Sequence, residues 1–391
     1  MRRTVVVMPG DGIGRHVVPE ALRVLEATGF SAYYVPAEVG WDCWLRDGDA
    51  LPERTLEMLR MYGLGFYGAT TSKPHAEALK ELAPALRART PPPRYQSPVL
   101  RIRRALDLHT AVRPCRSMPG HPRAFVRRGV AGAIESPEVD LTLFVQNTEC
   151  HYAGVEWRAP PQSLRTELAA HPSFAPFSAV APDDLAISVR VVTRAAALRT
   201  ARAAFTFAKA NGFDRVTLCD KWGVMTETAS LMLEAAEAAR AEHPGITIQR
   251  TNIDAQVLLL QRRPEDFHVL VASALVGDIL SDACAGLVGG LGFAPVANLG
   301  DTCAVFEPVH GSAPRYGAHA PPVANPVAAI LAAAMLLDHL GEAERAERVR
   351  TAINRAMVDG ALRTFDVLGL PAGAPGTQGT REATDAILAR L

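Results

Sequence analysis

Thr4-Val-Val-Val-Met-Pro-Gly-Asp-Gly-Ile-Gly14 is an apolar run closed by a glycine turn. Beyond it, Val17, Val18, Ala21, Leu22 and Leu25 recur at helical spacing, with Pro19 near enough to the start to be tolerated. The stretch reads as a buried strand, a tight turn and an amphipathic helix. Later segments repeat the alternation. Leu64–Tyr67, Leu141–Val145, Arg215–Leu218 and Val269–Ser273 are expected strands, and an alanine-rich helix over Arg194–Asn211 precedes the third. Strands alternating with helices predict an α/β fold with a mainly parallel sheet. Thr71–Pro98, rich in Pro, Ala and Arg, reads as a helix-bearing insertion or loop; Gly317–Pro326 and Gly369–Gly379 read as loops.

Composition narrows the function classes. A chain of 391 residues is long enough for a large buried core, and 48% hydrophobic with 21% charged residues is ordinary globular usage. Forty-one basic residues balance forty-one acidic ones, so no net field draws nucleic acid or an anionic membrane. The arginine runs Arg101–Arg104 and Arg127–Arg128 read as solvated faces. Val327–Leu340 is the most apolar stretch, but Asp338 breaks it and it is shorter than a bilayer span, so a buried helix is expected. Six cysteines without a C-x-x-C pair argue against a zinc or disulfide framework. They fit a reducing compartment, and a strand that begins at Thr4 leaves no room for a signal peptide, so a cytoplasmic protein is expected.

The glycine turn invites a dinucleotide-binding reading, because a helix N-terminus behind glycines can cradle a pyrophosphate. Gly10-x-Gly12-x-Gly14 lacks the G-x-G-x-x-G spacing, however, and a tight strand-to-helix turn accounts for the three glycines. Gly277-Asp-Ile-Leu-Ser-Asp282 carries more chemistry. If a helix starts there, Asp278 and Asp282 share one face, and two adjacent carboxylates repel unless they share a cation or a proton. Hard oxygen ligands suit Mg²⁺ or Mn²⁺. The competing reading makes Asp278 a helix cap and Asp282 a solvated residue.

Pro9-Gly-Asp-Gly-Ile-Gly14, Gly277-Asp-Ile-Leu-Ser-Asp282 and Glu307-Pro-Val-His-Gly-Ser-Ala-Pro314 with Ala324-Asn-Pro326 together resemble the isocitrate/isopropylmalate dehydrogenase family. These enzymes are decarboxylating β-hydroxyacid dehydrogenases. The resemblance runs from near residue 4 to about 365, with several independent motifs in order. It implies an isopropylmalate dehydrogenase-like fold: a large α/β domain from both chain ends (1–107 and 262–391) around a smaller middle α/β domain (108–261). It also implies a homodimer with shared active sites.

By the same resemblance, Asp278 and Asp282 match the metal ligands. Asp254, ten residues before Pro264, matches a carboxylate given by the partner subunit. Lys221 matches the lysine linked to deprotonating the substrate hydroxyl, a role that needs burial or a nearby metal. Tyr152 matches the tyrosine that protonates the enol carbon after carbon dioxide leaves. Arg103 and Arg113 match two substrate arginines, whose forks suit a carboxylate. Ser97 matches a serine near the variable substrate arm, and a plain helix-start serine is the competing reading. The cofactor, NADP or NAD, is expected on His310, Gly311, Ser312, Ala313 and Pro314 with Asn325. Arg315 and Tyr316 stand where a basic–tyrosine pair accompanies NADP, so NADP is the preferred expectation. The glycine turn is not carried over as a cofactor site.

The departures cluster around the substrate. Val145 stands where the family has a third arginine, a loss of about 1.5–3 kcal/mol for one charge-assisted pair. Asp220, Gly223 and Ala274 replace the family's histidine, asparagine and asparagine, and His109-Thr110-Ala111 replaces Tyr-Ala-Asn. Two readings follow. One is an active enzyme on an unusual substituted malate. The other is a non-catalytic or regulatory subunit that binds without turnover. Retention of Lys221, Tyr152 and the three aspartates points to the first.

Overall fold

A computed structural model describes residues 3–122, 125–129 and 132–391. The described residues form fourteen strands: β1 Arg3–Gly10, β2 Ala32–Pro36, β3 Leu64–Ala69, β4 Thr110–Arg116, β5 Arg127–Arg128, β6 Ile134–Glu135 and β7 Asp140–Gln146. The remainder are β8 Glu156–Arg158, β9 Ala186–Ser188, β10 Arg215–Asp220, β11 Thr247–Asn252, β12 Val269–Ala272, β13 Pro295–Leu299 and β14 Ala304–Pro308. Ten of them make one sheet in the order β11-β10-β12-β7-β4-β13-β14-β3-β1-β2. β5 pairs with β6 and β8 with β9 in two small ribbons.

Each wing of the sheet is parallel: β11, β10, β12 and β7 on one side, β14, β3, β1 and β2 on the other. β4 and β13 between them run antiparallel to their neighbours. Parallel strands must be covered on both faces, which is why β3 and β12 are buried throughout. The helix Gly14–Ala27 buries Val17, Val18, Ala21, Val24 and Leu25 against one wing. Beside it, the helix Val327–His339 is apolar around nearly its whole girth and correspondingly buried. No helix among the described residues is long and apolar enough to cross a membrane.

The segment expected as an insertion is ordered by its aromatic neighbours. It carries the short helices His75–Glu81 and Pro84–Arg87, and the ring of Tyr95 meets Trp41 and Trp44 at centroid distances of 5.4 and 5.3 Å. Trp44 Nε1 donates to Ala78 O at 3.0 Å and the Tyr95 hydroxyl donates to Thr71 O at 2.6 Å. The C-terminal ends of β7, β10, β11 and β12 lie in register at one rim, where Val145 pairs with Ala272, Cys219 with Ala272, and Asp220 with Asn252. That rim delivers Lys221, Asp254 and the helix carrying Asp278. In parallel sheets this is where ligands bind.

Candidate active site

The helix Ala274–Leu287 begins at Ser273, so Asp278 is its fifth residue and not its cap. Asp278 and Asp282 stand one turn apart, both exposed. Arg113, projecting from β4, is almost fully buried and turns to Asp278 Oδ1, with Nη1 at 3.3 Å and Nη2 at 3.4 Å. Its Nη1 also donates to Ser281 Oγ, whose hydroxyl donates to Asp278 O at 2.8 Å. Tyr152 lies on the one-turn helix His151–Ala153, close enough to Asp278 for that carboxylate to act on its phenol. Burial first, then the charge of Asp278, pushes the Tyr152 phenol well above its usual range, so it stays protonated. Burial, and next the charge of Asp278, also raises the carboxyl of Asp282. One helix face thus holds two mutually repelling carboxylates, a guanidinium and a neutral phenol. The oxygen pair fits part of a hard-cation site.

Arg103, on the helix Pro98–Ala105, gives Nη2 to Glu307 Oε1 at 2.9 Å inside the protein. Asn298 Nδ2 donates to the same oxygen at 2.8 Å, and Asn147 Nδ2 donates to Asn298 Oδ1 at 2.9 Å. The Nε groups of Arg103 and Arg113 are buried without a partner, so both arginines hold unspent donor capacity. Ser97 opens the Arg103 helix, yet its hydroxyl makes no capping bond. Glu307 and Ser281 were not expected as arginine partners, nor Asn298 as the amide that steadies Glu307. Glu307 heads a motif already quoted, and an acidic residue closing the apolar run Ala304-Val-Phe306 was the available signal.

Lys221 lies apart from this group. Its Nζ donates to Asp254 Oδ1 at 2.8 Å, with 39% and 65% of the two side chains exposed. That bond with Lys221 holds the Asp254 carboxyl below its usual value. The burial expected of Lys221 is not supplied within one chain. Among the described residues no three His, Cys, Asp or Glu side chains gather in a way that could hold a metal. Asp254 therefore does not join Asp278 and Asp282 within the chain. The position of the missing third arginine is core. Val145 is 2% exposed and packs against Gly277 of the aspartate helix.

The His310–Pro314 loop is braced from behind by the glycine turn. Ile13 N donates to Ser312 O at 2.9 Å, and a Cβ on Gly12 would stand 2.0 Å from that same oxygen. The hydroxyls of Ser312 and Thr71 meet at 2.8 Å, and His16 Nε2 lies 3.1 Å from Gly317 O. Ala313 takes a left-handed backbone, φ 38°, just before Pro314 opens a one-turn helix, and Gly311 is exposed. Asn325 is buried and donates to Asp366 Oδ2 at 2.9 Å. Tyr316 stacks on Phe365 at 5.0 Å, while Arg315 is exposed and makes no ion pair among the described residues. His310 keeps a buried Nε2 without a partner, and burial favours its neutral ring. An orphaned ring nitrogen and a free guanidinium on one loop, beside the stacked pair Tyr316–Phe365, fit a nucleotide.

Comparison with known proteins places the chain. A family model described as isocitrate/isopropylmalate dehydrogenase matches residues 4–387. The isocitrate/homoisocitrate dehydrogenase of Thermus thermophilus is 37% identical over 369 residues, covering 94% of this chain and 95% of that one. Protein DlpA of Legionella pneumophila is 34% identical over 365 residues, and these span 93% of this chain but only 56% of that protein. The crystal structure of isocitrate dehydrogenase from Methylococcus capsulatus superposes with a TM-score of 0.81 at 32% identity, covering 99% of both chains.

Proposed function

Because the chain belongs to the isocitrate/isopropylmalate dehydrogenase family of NAD(P)-dependent decarboxylating enzymes, we propose that it oxidises a substituted malate and releases its β-carboxylate as carbon dioxide. The observation that carries this reading is the turn of buried Arg113 onto Asp278, one helical turn from Asp282, with the Tyr152 phenol within reach of the same charge. A divalent Mg²⁺ or Mn²⁺ held by Asp278, Asp282 and a second copy's Asp254 would supply Lewis-acid polarisation of the substrate hydroxyl and carbonyl oxygens. Arg103 and Arg113 grip carboxylates, and Glu307 and Ser281 fix the forks in place. Lys221 takes the hydroxyl proton. Tyr152, kept protonated by burial, returns a proton to carbon once carbon dioxide has left.

The dinucleotide site is His310–Tyr316 with Asn325, and NADP is the preferred partner because Arg315 is free to meet a 2′-phosphate. The division into one lobe of residues 1–107 with 262–391 and another of 108–261 is part of the same proposal. So is a homodimer. Lys221 and Asp254 pair with each other and not with Asp278, as groups offered to another copy's site would. On and beside the adjacent helices Ile253–Leu260 and Ala274–Leu287, Val224, Leu258 and Ile279 are 70%, 54% and 54% exposed, an apolar surface suited to a second copy.

The substrate arm lies near Ser97 and Val99. The test follows reduced-nicotinamide formation with Mn²⁺ or Mg²⁺, with NAD and with NADP, over isocitrate, homoisocitrate, 3-isopropylmalate, tartrate and malate. Turnover that Lys221→Met abolishes supports the reading. Silence across the panel, with metal and dinucleotide still bound, favours a subunit that binds without turnover.

A further inference from the structure

Arg190 is a buried arginine outside the groups described above, with 7% of its side chain exposed. It forks onto a carboxylate that is itself 1% exposed: Nη1 to Asp220 Oδ1 at 3.0 Å and Nη2 to Asp220 Oδ2 at 2.5 Å. The same Nη2 reaches Ser273 Oγ at 3.2 Å, the residue on which the aspartate helix begins. Asp220 Oδ1 also accepts the backbone N–H of Lys221 at 2.7 Å. Next to Arg190, Val191 O accepts the N–H of Cys150 at 2.7 Å, in a bridge that holds the turn carrying Tyr152. The guanidinium therefore ties together the segments bearing Lys221 and Asp278, and the backbone beside it holds the turn bearing Tyr152.

A buried ion pair is weak evidence for stability, since desolvation offsets most of its Coulomb gain. Its value lies in geometry: a planar fork with both oxygens engaged admits one arrangement. Lys221 is otherwise held by its own turn, where its carbonyl accepts the N–H groups of Val224 and Met225 at 3.0 and 2.9 Å, and by its exposed bond to Asp254. Of these restraints the Arg190–Asp220 fork is the one that also reaches Ser273. Gly223 follows it in the turn, and a Cβ there would meet nothing within 4 Å. Asp220 occupies the place where the family resemblance puts a histidine, and here it holds that strand end through the Arg190 fork.

We propose that Arg190, acting through Asp220 and Ser273, is a positioning residue that fixes where Lys221 stands on the rim from which it is offered to a site. The proposal rests on the reading of Lys221 as the proton acceptor. A fork lost at this point displaces a reacting group without removing it, and displacements near 1 Å cost on the order of a hundredfold in rate.

Four enzymes are compared: wild type, Arg190→Lys, Arg190→Met, and Arg190→Met with Asp220→Leu. The double variant removes both buried charges and so guards against simple unfolding. Expected are a melting temperature near wild type for the double variant, kcat lowered about ten- to a hundredfold, and an unchanged KM for NAD(P). Arg190→Lys should recover part of kcat, because one ammonium reaches Asp220 but cannot also fork to Ser273. A readout independent of turnover uses reductive ¹³C-methylation, since the lysines are only Lys73, Lys80, Lys209 and Lys221. The Lys221 signal, identified by its loss in Lys221→Arg, should shift and narrow in the double variant while the other three stay put. Wild-type kcat together with an unmoved Lys221 signal in the folded double variant overturns the proposal. If no panel substrate turns over, or Lys221→Met is fully active, the functional reading fails instead. The lysine signal then still decides whether Arg190 positions Lys221.

Discussion

Lys221 and Asp254, thirty-three residues apart in sequence, meet at 2.8 Å on an exposed rim, while Asp278 is held elsewhere by Arg113. If the first pair serves another copy's site, two inactive variants repair one another. Lys221→Met and Tyr152→Phe should each abolish turnover. Mixed, unfolded and refolded together, half the dimers are hybrids with one site free of both changes, restoring roughly a quarter of wild-type activity. No recovery, with hybrids shown to form, sinks the shared-site arrangement.

The glycine turn was set aside as a cofactor site, and the structure gives it a different task behind the cofactor loop. Gly12 has φ 51° and lies against Ser312 O, so an added Cβ meets both a conformational penalty and a backbone oxygen. Gly12→Ala should displace Ser312 and raise the KM for NAD(P) by about tenfold or more. Mn²⁺ binding, read by electron paramagnetic resonance, should be unchanged because the aspartate helix is a separate element. An unaltered KM would make the turn a folding constraint only.

Much of this was legible beforehand, and the exceptions nearest the site share a cause. β1, β3, β7, β10 and β12 are apolar runs between turn signals, so periodicity finds them. Of the large sheet, β2, β4, β11, β13 and β14 were not expected. β4, β13 and β14 carry Arg113, Asn298 and Glu307, polar groups whose partners include Asp278, Asn147 and Arg103, all distant in sequence. The same holds at the site. Asp278 and Asp282 announce themselves by spacing, but the pairing of Arg103 with Glu307 spans 204 residues and that of Arg113 with Asp278 spans 165. No local pattern records a contact made by strand order.

Asp11 gives a pH dependence. It is 4% exposed and accepts the backbone N–H groups of Trp41 and Thr71, tying the turn to the segment that meets Ser312. Burial outweighs those bonds and Arg15, so its carboxyl is raised above its ordinary 3.8. A raised folded value means the folded chain binds the proton more tightly. The contribution is fully present below 3.8 and is lost as pH climbs through the folded value. Urea unfolding from about pH 3.5 to 6.5 should show wild type losing stability relative to Asp11→Asn as pH rises. A gap that widens in favour of wild type with pH would show the carboxylate held ionised by its N–H partners.

Val145 and Gly277 test what replaced the third arginine. A Cβ on Gly277 would stand 2.5 and 2.6 Å from the two Cγ atoms of Val145, a β-branched side chain buried in β7 with little freedom to turn. Two effects oppose each other in Gly277→Ala. Helix propensity gains about 0.8–1.0 kcal/mol, and overpacking against a rigid neighbour costs about 1–3 kcal/mol. The overlap should win, so chemical denaturation should show a net loss, and the helix should shift with its Asp278, lowering kcat. In a Val145→Ala background both Cγ atoms are gone and only a 3.1 Å contact to the remaining Cβ is left. The same Gly277→Ala change should then be at least about 1 kcal/mol less harmful, a coupling typical of residues in contact. Additive effects would mean that Val145 does not set the seat of the aspartate helix, and that the arginine's absence left that helix where it was.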